Sequence, residues 1–218
     1  ADLEVYARAN QNNRLLGSHI DMVHQSPLCM GMAHQKENVY WVNDGLAGHL
    51  VYYDFVQDHG TGRDDHSDAI VRRYPEVELS RVENVPGHMV FDEAKVFLYI
   101  ADVGNSRILK VDTRTGEYDS RLRARNEPLD EFSKYLGVEF EVFASTNLEK
   151  PSGLTISNGR LFATDYATGA IIAYDLGTGD ELERIMTNGK GIMGITTDAS
   201  GDLWYVNGGQ NTVTRVER

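Results

Sequence analysis

Short runs of alternating apolar and polar residues, separated by glycine-containing turns, fill most of the chain. The runs are rich in Val, Ile, Leu, Thr and aromatic residues, which is typical of β-strands. One exception is residues 127–136, where apolar residues at helical spacing follow Pro128 and predict a short surface helix. Because long stretches of helical periodicity are otherwise scarce, the pattern predicts an all-β fold.

Four segments align with one another as repeats: residues 29–54, 86–112, 151–175 and 192–217. Each contains an apolar strand, an aromatic-rich strand that ends in Asp or Asn, and a third strand of alternating character. The shared columns are Gly31, His88, Gly153 and Gly194; then Asn43, Asp102, Asp165 and Asn207; then Asp54, Asp112, Asp175 and Glu217. A small antiparallel sheet cannot bury its own faces, so copies stacked around an axis predict a β-propeller.

The repeats predict one propeller domain over residues 1–218, with four clear blades and at most five. The approximate blade limits are 26–85, 86–150, 151–190 and 191–218. Candidates for the outer, fourth strands are residues 69–79, 117–124 and 181–186. The last repeat ends without such a strand, and residues 14–24 are expected to supply it, because an open sheet edge invites aggregation.

The second repeat resembles a known family. The segment YIADVGNSRILKVD at 99–112 is similar to the NHL repeat, in which Ala-Asp leads through Gly-Asn-x-Arg into the next strand. The upstream PGHMVFD resembles the family's Pro-x-Gly-apolar start, except that His88 stands where Gly is usual. The resemblance covers about residues 26–218 and implies a β-propeller. Six-bladed rings are common for this repeat, which leaves open that four or five blades belong to a larger ring.

Composition and charge restrict the function. The chain has 218 residues, with 21 Lys plus Arg against 33 Asp plus Glu, and its formal charge is −12. Because duplex affinity depends on basic side chains that neutralise phosphates, nucleic acid is not an expected partner. No apolar run approaches the roughly 18–20 residues of a membrane-spanning helix, so a soluble protein is expected. The start at Ala1 rather than Met favours a secreted or periplasmic protein.

Three histidines are expected near the propeller axis. His88 occupies a column of glycines, His49 follows a blade turn, and His24 precedes the first repeat together with Cys29. Imidazole nitrogens are preferred zinc ligands, so these residues predict a metal site. The simpler interpretation is that each histidine is an ordinary polar residue and that Cys29 is a small buried side chain.

The insertion QDHGTGRDDHSDA at 57–69 offers a second candidate metal site. Its possible ligands are Asp58, His59, Asp64, His66 and Asp68. Carboxylates suit Ca²⁺ and imidazoles suit Zn²⁺, whereas the alternative is a solvated acidic loop. The loop should lie on the face opposite the beginnings of the inner strands, so the two metal sites are expected to be separate.

Two functional hypotheses follow. The first is a metal-dependent lyase or hydrolase that acts on a small molecule or peptide at the central channel. It is supported by a distant resemblance to amidating-lyase propellers, which implies zinc held by histidines, although only one of four column positions is His here. The second is a non-catalytic module that binds a protein or peptide, with any calcium or zinc purely structural. No catalytic residue is assigned, and no nucleotide-binding motif is present.

Overall fold

The computed structural model describes residues 23–57, 66–124 and 127–216. In that part of the chain the secondary structure is β-strand apart from one short 3-10 turn at Val103–Asn105, and no helix is long and apolar enough to span a bilayer. The strands are β1 (Cys29–Lys36), β2 (Val39–Asp44), β3 (His49–Asp54), β4 (Ile70–Glu78), β5 (Met89–Phe91), β6 (Phe97–Asp102), β7 (Arg107–Asp112), β8 (Glu117–Arg121), β9 (Glu131–Leu136), β10 (Phe140–Ala144), β11 (Pro151–Ser157), β12 (Arg160–Asp165), β13 (Ala170–Asp175), β14 (Glu181–Met186), β15 (Ile192–Thr197), β16 (Leu203–Asn207) and β17 (Thr212–Arg215).

These strands form four sheets, which we number as blades 1 to 4. Blade 1 has the order β1-β2-β3-β4-β9-β8, blade 2 has β5-β6-β7-β10, blade 3 has β11-β12-β13-β14, and blade 4 has β15-β16-β17 within the described residues. The inner strands β1, β5, β11 and β15 pack against one another in that order. The blades therefore radiate from a common axis, which confirms the all-β propeller fold.

The hydrophobic core lies in the gaps between blades. Trp41 of blade 1 packs towards blade 2, Tyr99 of blade 2 packs towards blade 3, and Ile171 of blade 3 packs towards blade 4. Each fully buried side chain of this size contributes about 1.5–3 kcal/mol through the hydrophobic effect. The last blade is less covered, since Val206 and Val213, paired on its outward face, are 40% and 67% exposed.

The insertion after β7 differs from its prediction. Residues 131–136 form strand β9 rather than a helix, pairing in parallel with β4 and antiparallel with β8. Apolar spacing alone did not distinguish the two structures, and the neighbouring edge of β4 decided the outcome. The predicted outer strands at 69–79 and 181–186 are confirmed as β4 and β14.

Blade 2 obtains its outer strand from an unexpected part of the chain. The segment at 117–124 does contain a strand, β8, but it extends the sheet of blade 1. Strand β10 at Phe140–Ala144 completes blade 2 instead, pairing with β7. The predicted closing strand at 14–24 lies outside the described residues except for Val23 and His24, which are in a turn.

A buried Asp or Asn ends the second strand of every blade. The residues are Asp44, Asp102, Asp165 and Asn207. In blade 1 the residue that ends the strand is Asp44, one position after the expected Asn43. Asp165 Oδ1 accepts hydrogen bonds from two backbone N–H groups of its own turn, and Oδ2 accepts two from the loop that leads in from blade 2. Asp102 Oδ1 likewise accepts from Ser80 N–H on the loop that leads in from blade 1, so Asp102 and Asp165 each connect their blade to the preceding loop.

The inner strands begin at a tightly packed region that we call the hub: Met30–Gly31, Gly87–His88, Ser152–Gly153 and Met193–Gly194. Backbone hydrogen bonds cross between blades here, from Gly87 N–H to Met30 O and from His88 N–H to Ser152 O, both at 3.0 Å. A Cβ atom on Gly31 would lie 2.1 Å from the carbonyl oxygen of Gly87. Glycine is therefore required wherever the neighbouring backbone approaches this closely.

Alanine substitutions in the glycine column should differ in their effect on the free energy of unfolding. A Cβ on Gly153 would lie 2.4 Å from Met193 O, whereas the nearest atom to a Cβ on Gly194 is 3.5 Å away. We expect Gly31→Ala and Gly153→Ala each to lower the free energy of unfolding by about 1–3 kcal/mol or more, through overpacking. Gly194→Ala should change it by less than about 0.5 kcal/mol. Urea unfolding followed by tryptophan fluorescence measures all three, and equal effects would contradict the hub geometry.

Candidate functional site

His88 is the histidine placed at the hub. It immediately precedes β5, the inner strand of blade 2, in the column where the other three blades have glycine, and its side chain is half-buried. A Cβ built on Gly194 would lie 3.8 Å from Cε1 of His88, so the imidazole reaches across the hub towards blade 4. Its backbone is held at both polar atoms: N–H donates to Ser152 O, and the carbonyl accepts from Ala101 N–H at 2.9 Å.

The His88 imidazole is available for a ligand. Its ring makes no hydrogen bond with a described residue, in contrast to the other four histidines of the described chain. Burial lowers the pKa of His88 below its ordinary value, and no charged neighbour contributes to the shift. The ring is therefore neutral at pH 7, with one nitrogen that donates and one that accepts a hydrogen bond.

His49 lies instead in a polar network on blade 1. Its Nε2 accepts a hydrogen bond of 2.9 Å from Arg73 Nη1, which also donates to Asp44 Oδ2 at 3.0 Å. Arg73 Nη2 donates to the carbonyl of Gln25, on the segment that leads into β1. Burial first, and the Arg73 guanidinium second, lower the pKa of His49. With Nε2 occupied by Arg73, His49 serves this network rather than the hub.

Cys29 begins β1 on the same side of the propeller and is exposed. Its Sγ lies 3.3 Å from the carbonyl of Gly31, to which the thiol donates. Burial of the sulfur, followed by repulsion from the Asp44 carboxylate, raises the pKa of the thiol. The thiol is therefore protonated at neutral pH, which disfavours both metal ligation and nucleophilic attack by Cys29.

His24 and His66, expected in different sites, meet at one carboxylate. Glu127 Oε2 lies 3.1 Å from His66 Nδ1 and 3.2 Å from His24 Nδ1. The other oxygen, Oε1, accepts a hydrogen bond of 3.1 Å from Gln25 Nε2. His66 and Glu127 are buried, and the Phe55 ring packs 5.3 Å from the His66 ring.

The acidic insertion is described only at its two ends. Asp68 Oδ2 accepts a hydrogen bond of 3.2 Å from the backbone N–H of Gln57. The remaining predicted ligands, Asp58, His59 and Asp64, lie outside the described residues.

The described residues do not fit a metal ion. In the three described ranges, no group of three or more His, Cys, Asp or Glu side chains is arranged to hold one. The predicted trio of His24, His49 and His88 is divided between three environments: Glu127, Arg73 and the hub. Hydrogen bonding explains the division, since buried imidazoles are satisfied by the nearest carboxylate or guanidinium.

Sequence reasoning missed Arg73 and Glu127. Arg73 belongs to no repeat column, yet its side chain is only 16% exposed and forms an ion pair with Asp44. Glu127 lies in an insertion that no repeat column covers. The available signal was Pro128 next to a lone acidic residue, which does not indicate where an insertion will pack.

Solved structures place this chain among β-propellers. It is similar to a streptogramin B lyase, with a TM-score of 0.56 and 13% identity over 86% of this chain and 51% of that one. It is also similar to virginiamycin B lyase from Staphylococcus aureus, in a catalytically inactive histidine-to-alanine form with quinupristin (TM-score 0.55, 14% identity, 86% and 51% covered). The chain thus spans about half the length of these lyases, and identities this low show similarity of fold alone.

A chain of comparable extent is the computationally designed Ika4 protein. Its TM-score is 0.51 at 11% identity, with 87% of this chain and 90% of that chain covered. No family model and no curated protein sequence matches this chain.

Both perturbed histidines should make stability depend on pH. The pKa values of His88 and His49 are lower in the folded protein than in the unfolded chain, where they are about 6.5. The free energy of unfolding should therefore be greatest above pH 6.5 and should fall as the pH drops from 6.5 through the folded pKa values. His88→Gly should reduce this decrease in urea unfolding compared at pH 7.5 and 5.5. An NMR titration that gives His88 a pKa at or above 6.5 would contradict the burial of its ring.

Proposed function

We propose that the protein is a ligand-binding β-propeller module that takes a peptide, or a small molecule with a peptide-like amide, at the hub. The observation that carries this proposal is the position of His88. It is an imidazole side chain in the glycine column, half-buried, and its ring has no hydrogen-bond partner among the described residues. A half-buried imidazole whose ring no described residue engages is a polar group to which a ligand can hydrogen-bond.

The chemistry of the hub supports an amide-containing ligand. A neutral imidazole presents one donor and one acceptor, and a peptide group presents one acceptor and one donor. The hub backbone is already engaged between blades, as at Gly87 N–H, so the His88 ring is the polar group that remains. On the same side of the propeller, Leu28 and Leu46 are 37% and 64% exposed and offer apolar contacts to ligand side chains.

His88→Gly tests the proposal, because it installs the residue of the other three blades. Peptides selected from a random displayed library against the wild-type protein should lose roughly 10-fold or more in Kd on His88→Gly, from the loss of one or two hydrogen bonds. His34→Ala is the matched control, since His34 is exposed, lies on β1, and bonds only to the Glu37 carbonyl. Isothermal titration calorimetry measures both. Peptides that bind His88→Gly as tightly as the wild type would refute the proposal.

A metal-dependent lyase or hydrolase is the second candidate. It is favoured by the similarity in fold to streptogramin B and virginiamycin B lyases, one of them inactivated by replacement of a histidine. In this reading His88 would contact the substrate, and a divalent cation, zinc or calcium, would need ligands from outside the described residues. A Lewis-acid ion would supply polarisation of a substrate oxygen.

Quinupristin distinguishes the two candidates. A binding module should leave quinupristin unchanged in the presence of Mg²⁺, Ca²⁺ or Zn²⁺, as followed by liquid chromatography with mass detection. Turnover that requires both a metal and His88 would establish the second candidate in place of the first. His34→Ala serves again as the control, because a contaminating enzyme would show the same turnover in every variant.

A further inference from the structure

The outward face of blade 1 is buried although no other blade packs on it among the described residues. Val42, Val51, Tyr53 and Val71 lie on this face and are at most 1% exposed. Among the described residues, most of those that cover them come from the insertion between β7 and β10, namely Leu122, Ala124, Leu129 and Phe132, and Val23 on the approach to β1 adds to them. We call the described residues 122–124 and 127–132 the cap.

The cap is fixed to blade 1 along its edge. The backbone N–H of Asp130 donates to Ala69 O at 3.1 Å, just before β9 begins to pair with β4. Leu122 N–H donates to Phe132 O at 2.7 Å, which closes the cap on itself. Arg73 lies over the Phe132 ring, 5.6 Å from its centre, and so connects the cap to the network around Asp44.

Glu127 is the buried polar anchor of the cap, with a side chain only 9% exposed. A buried carboxylate costs several kcal/mol unless it is hydrogen-bonded or paired. Gln25 donates a hydrogen bond to Oε1 and His66 donates one to Oε2, while Nδ1 of the partly exposed His24 lies 3.2 Å from Oε2. They come from two segments distant from the cap in sequence, the approach to β1 and the end of the 57–69 insertion.

We infer that the cap takes the place of a neighbouring blade on blade 1, and that Glu127 fastens it there through His24, Gln25 and His66. The gaps between blades are filled by sheet against sheet, whereas this face is filled by sheet against cap. Within the described residues the outward face of blade 1 is thereby covered, whereas on blade 4 Val206 and Val213 are exposed. His24 and His66 act as positioning residues for the cap, not as metal ligands.

Glu127→Ala tests the fastening. It leaves the buried donors Gln25 and His66 without their Glu127 acceptor, which should lower the melting temperature by roughly 3–10 °C. It should also increase binding of the dye ANS, because Val42 and Val51 become accessible when the cap loosens. Glu117→Ala is the matched control: Glu117 lies in the same insertion, on β8, is exposed, and makes no side-chain hydrogen bond in the described structure. The inference would be overturned if Glu127→Ala and Glu117→Ala had the same melting temperature and the same ANS binding.

Leu129→Ala keeps the inference testable if Glu127→Ala does not fold. It removes apolar cover from blade 1 and leaves the Glu127 contacts in place, so it should raise ANS binding with a smaller decrease in melting temperature. ANS binding equal to that of the wild type would refute the cap as cover for blade 1.

A zinc titration distinguishes hydrogen bonding to Glu127 from metal binding by the same residues. Protein treated with chelator and then titrated with ZnCl₂ should show no change in melting temperature. An increase in melting temperature on adding zinc that is absent in Glu127→Ala would show that His24, His66 and Glu127 hold a metal. That result would overturn the inference that they fasten the cap by hydrogen bonds.

Discussion

Backbone hydrogen bonds between neighbouring inner strands hold this propeller together at its centre. Met30 O accepts from Gly87 N–H, and Ser152 O accepts from His88 N–H, so three blades are connected at the level of the main chain. Such contacts require the strands to approach more closely than side chains allow. Gly31 and Gly153 make the approach possible, since a Cβ at either position would overlap the next backbone.

The candidate site is a consequence of this packing. Backbone groups of the hub such as Gly87 N–H and His88 N–H are used between blades, so the proposed ligand contact rests on the one side chain that replaces a glycine in this column, His88. It fits because the position opposite, Gly194, belongs to the last described blade and has no close backbone neighbour. Burial lowers the pKa of the imidazole and so keeps it neutral, and a neutral ring offers one donor and one acceptor.

The repeats in the sequence were sufficient to predict the fold. Columns such as Gly153 and Asp165 recur because the blades repeat a similar close approach and turn, and β4 and β14 were expected because a fourth strand should follow each three-strand repeat. The insertions were not predictable in this way. Residues 131–136 became a strand because the edge of β4 was available, and Glu127 became buried because two distant segments supply its donors. Neither fact has a local signature in the sequence.

Histidine spacing was the weakest basis for prediction. His24, His49 and His88 were grouped because each precedes or follows a turn on one side of the propeller, and that much requires only topology. Ligation would also require their rings to converge, which depends on side-chain neighbours. Arg73 and Glu127 bind two of the rings and direct them elsewhere. The hub therefore retains one histidine, which suits hydrogen-bonded recognition better than a metal centre built from these three.

The central claim is the direct connection of blades through the hub backbone. Scalar couplings across hydrogen bonds, measured by NMR on deuterated protein, test it most directly. The account predicts couplings from the amide nitrogen of Gly87 to the carbonyl carbon of Met30 and from that of His88 to Ser152, with slow exchange of both amide protons. Rapid exchange of these two protons and no coupling across the blades would contradict it.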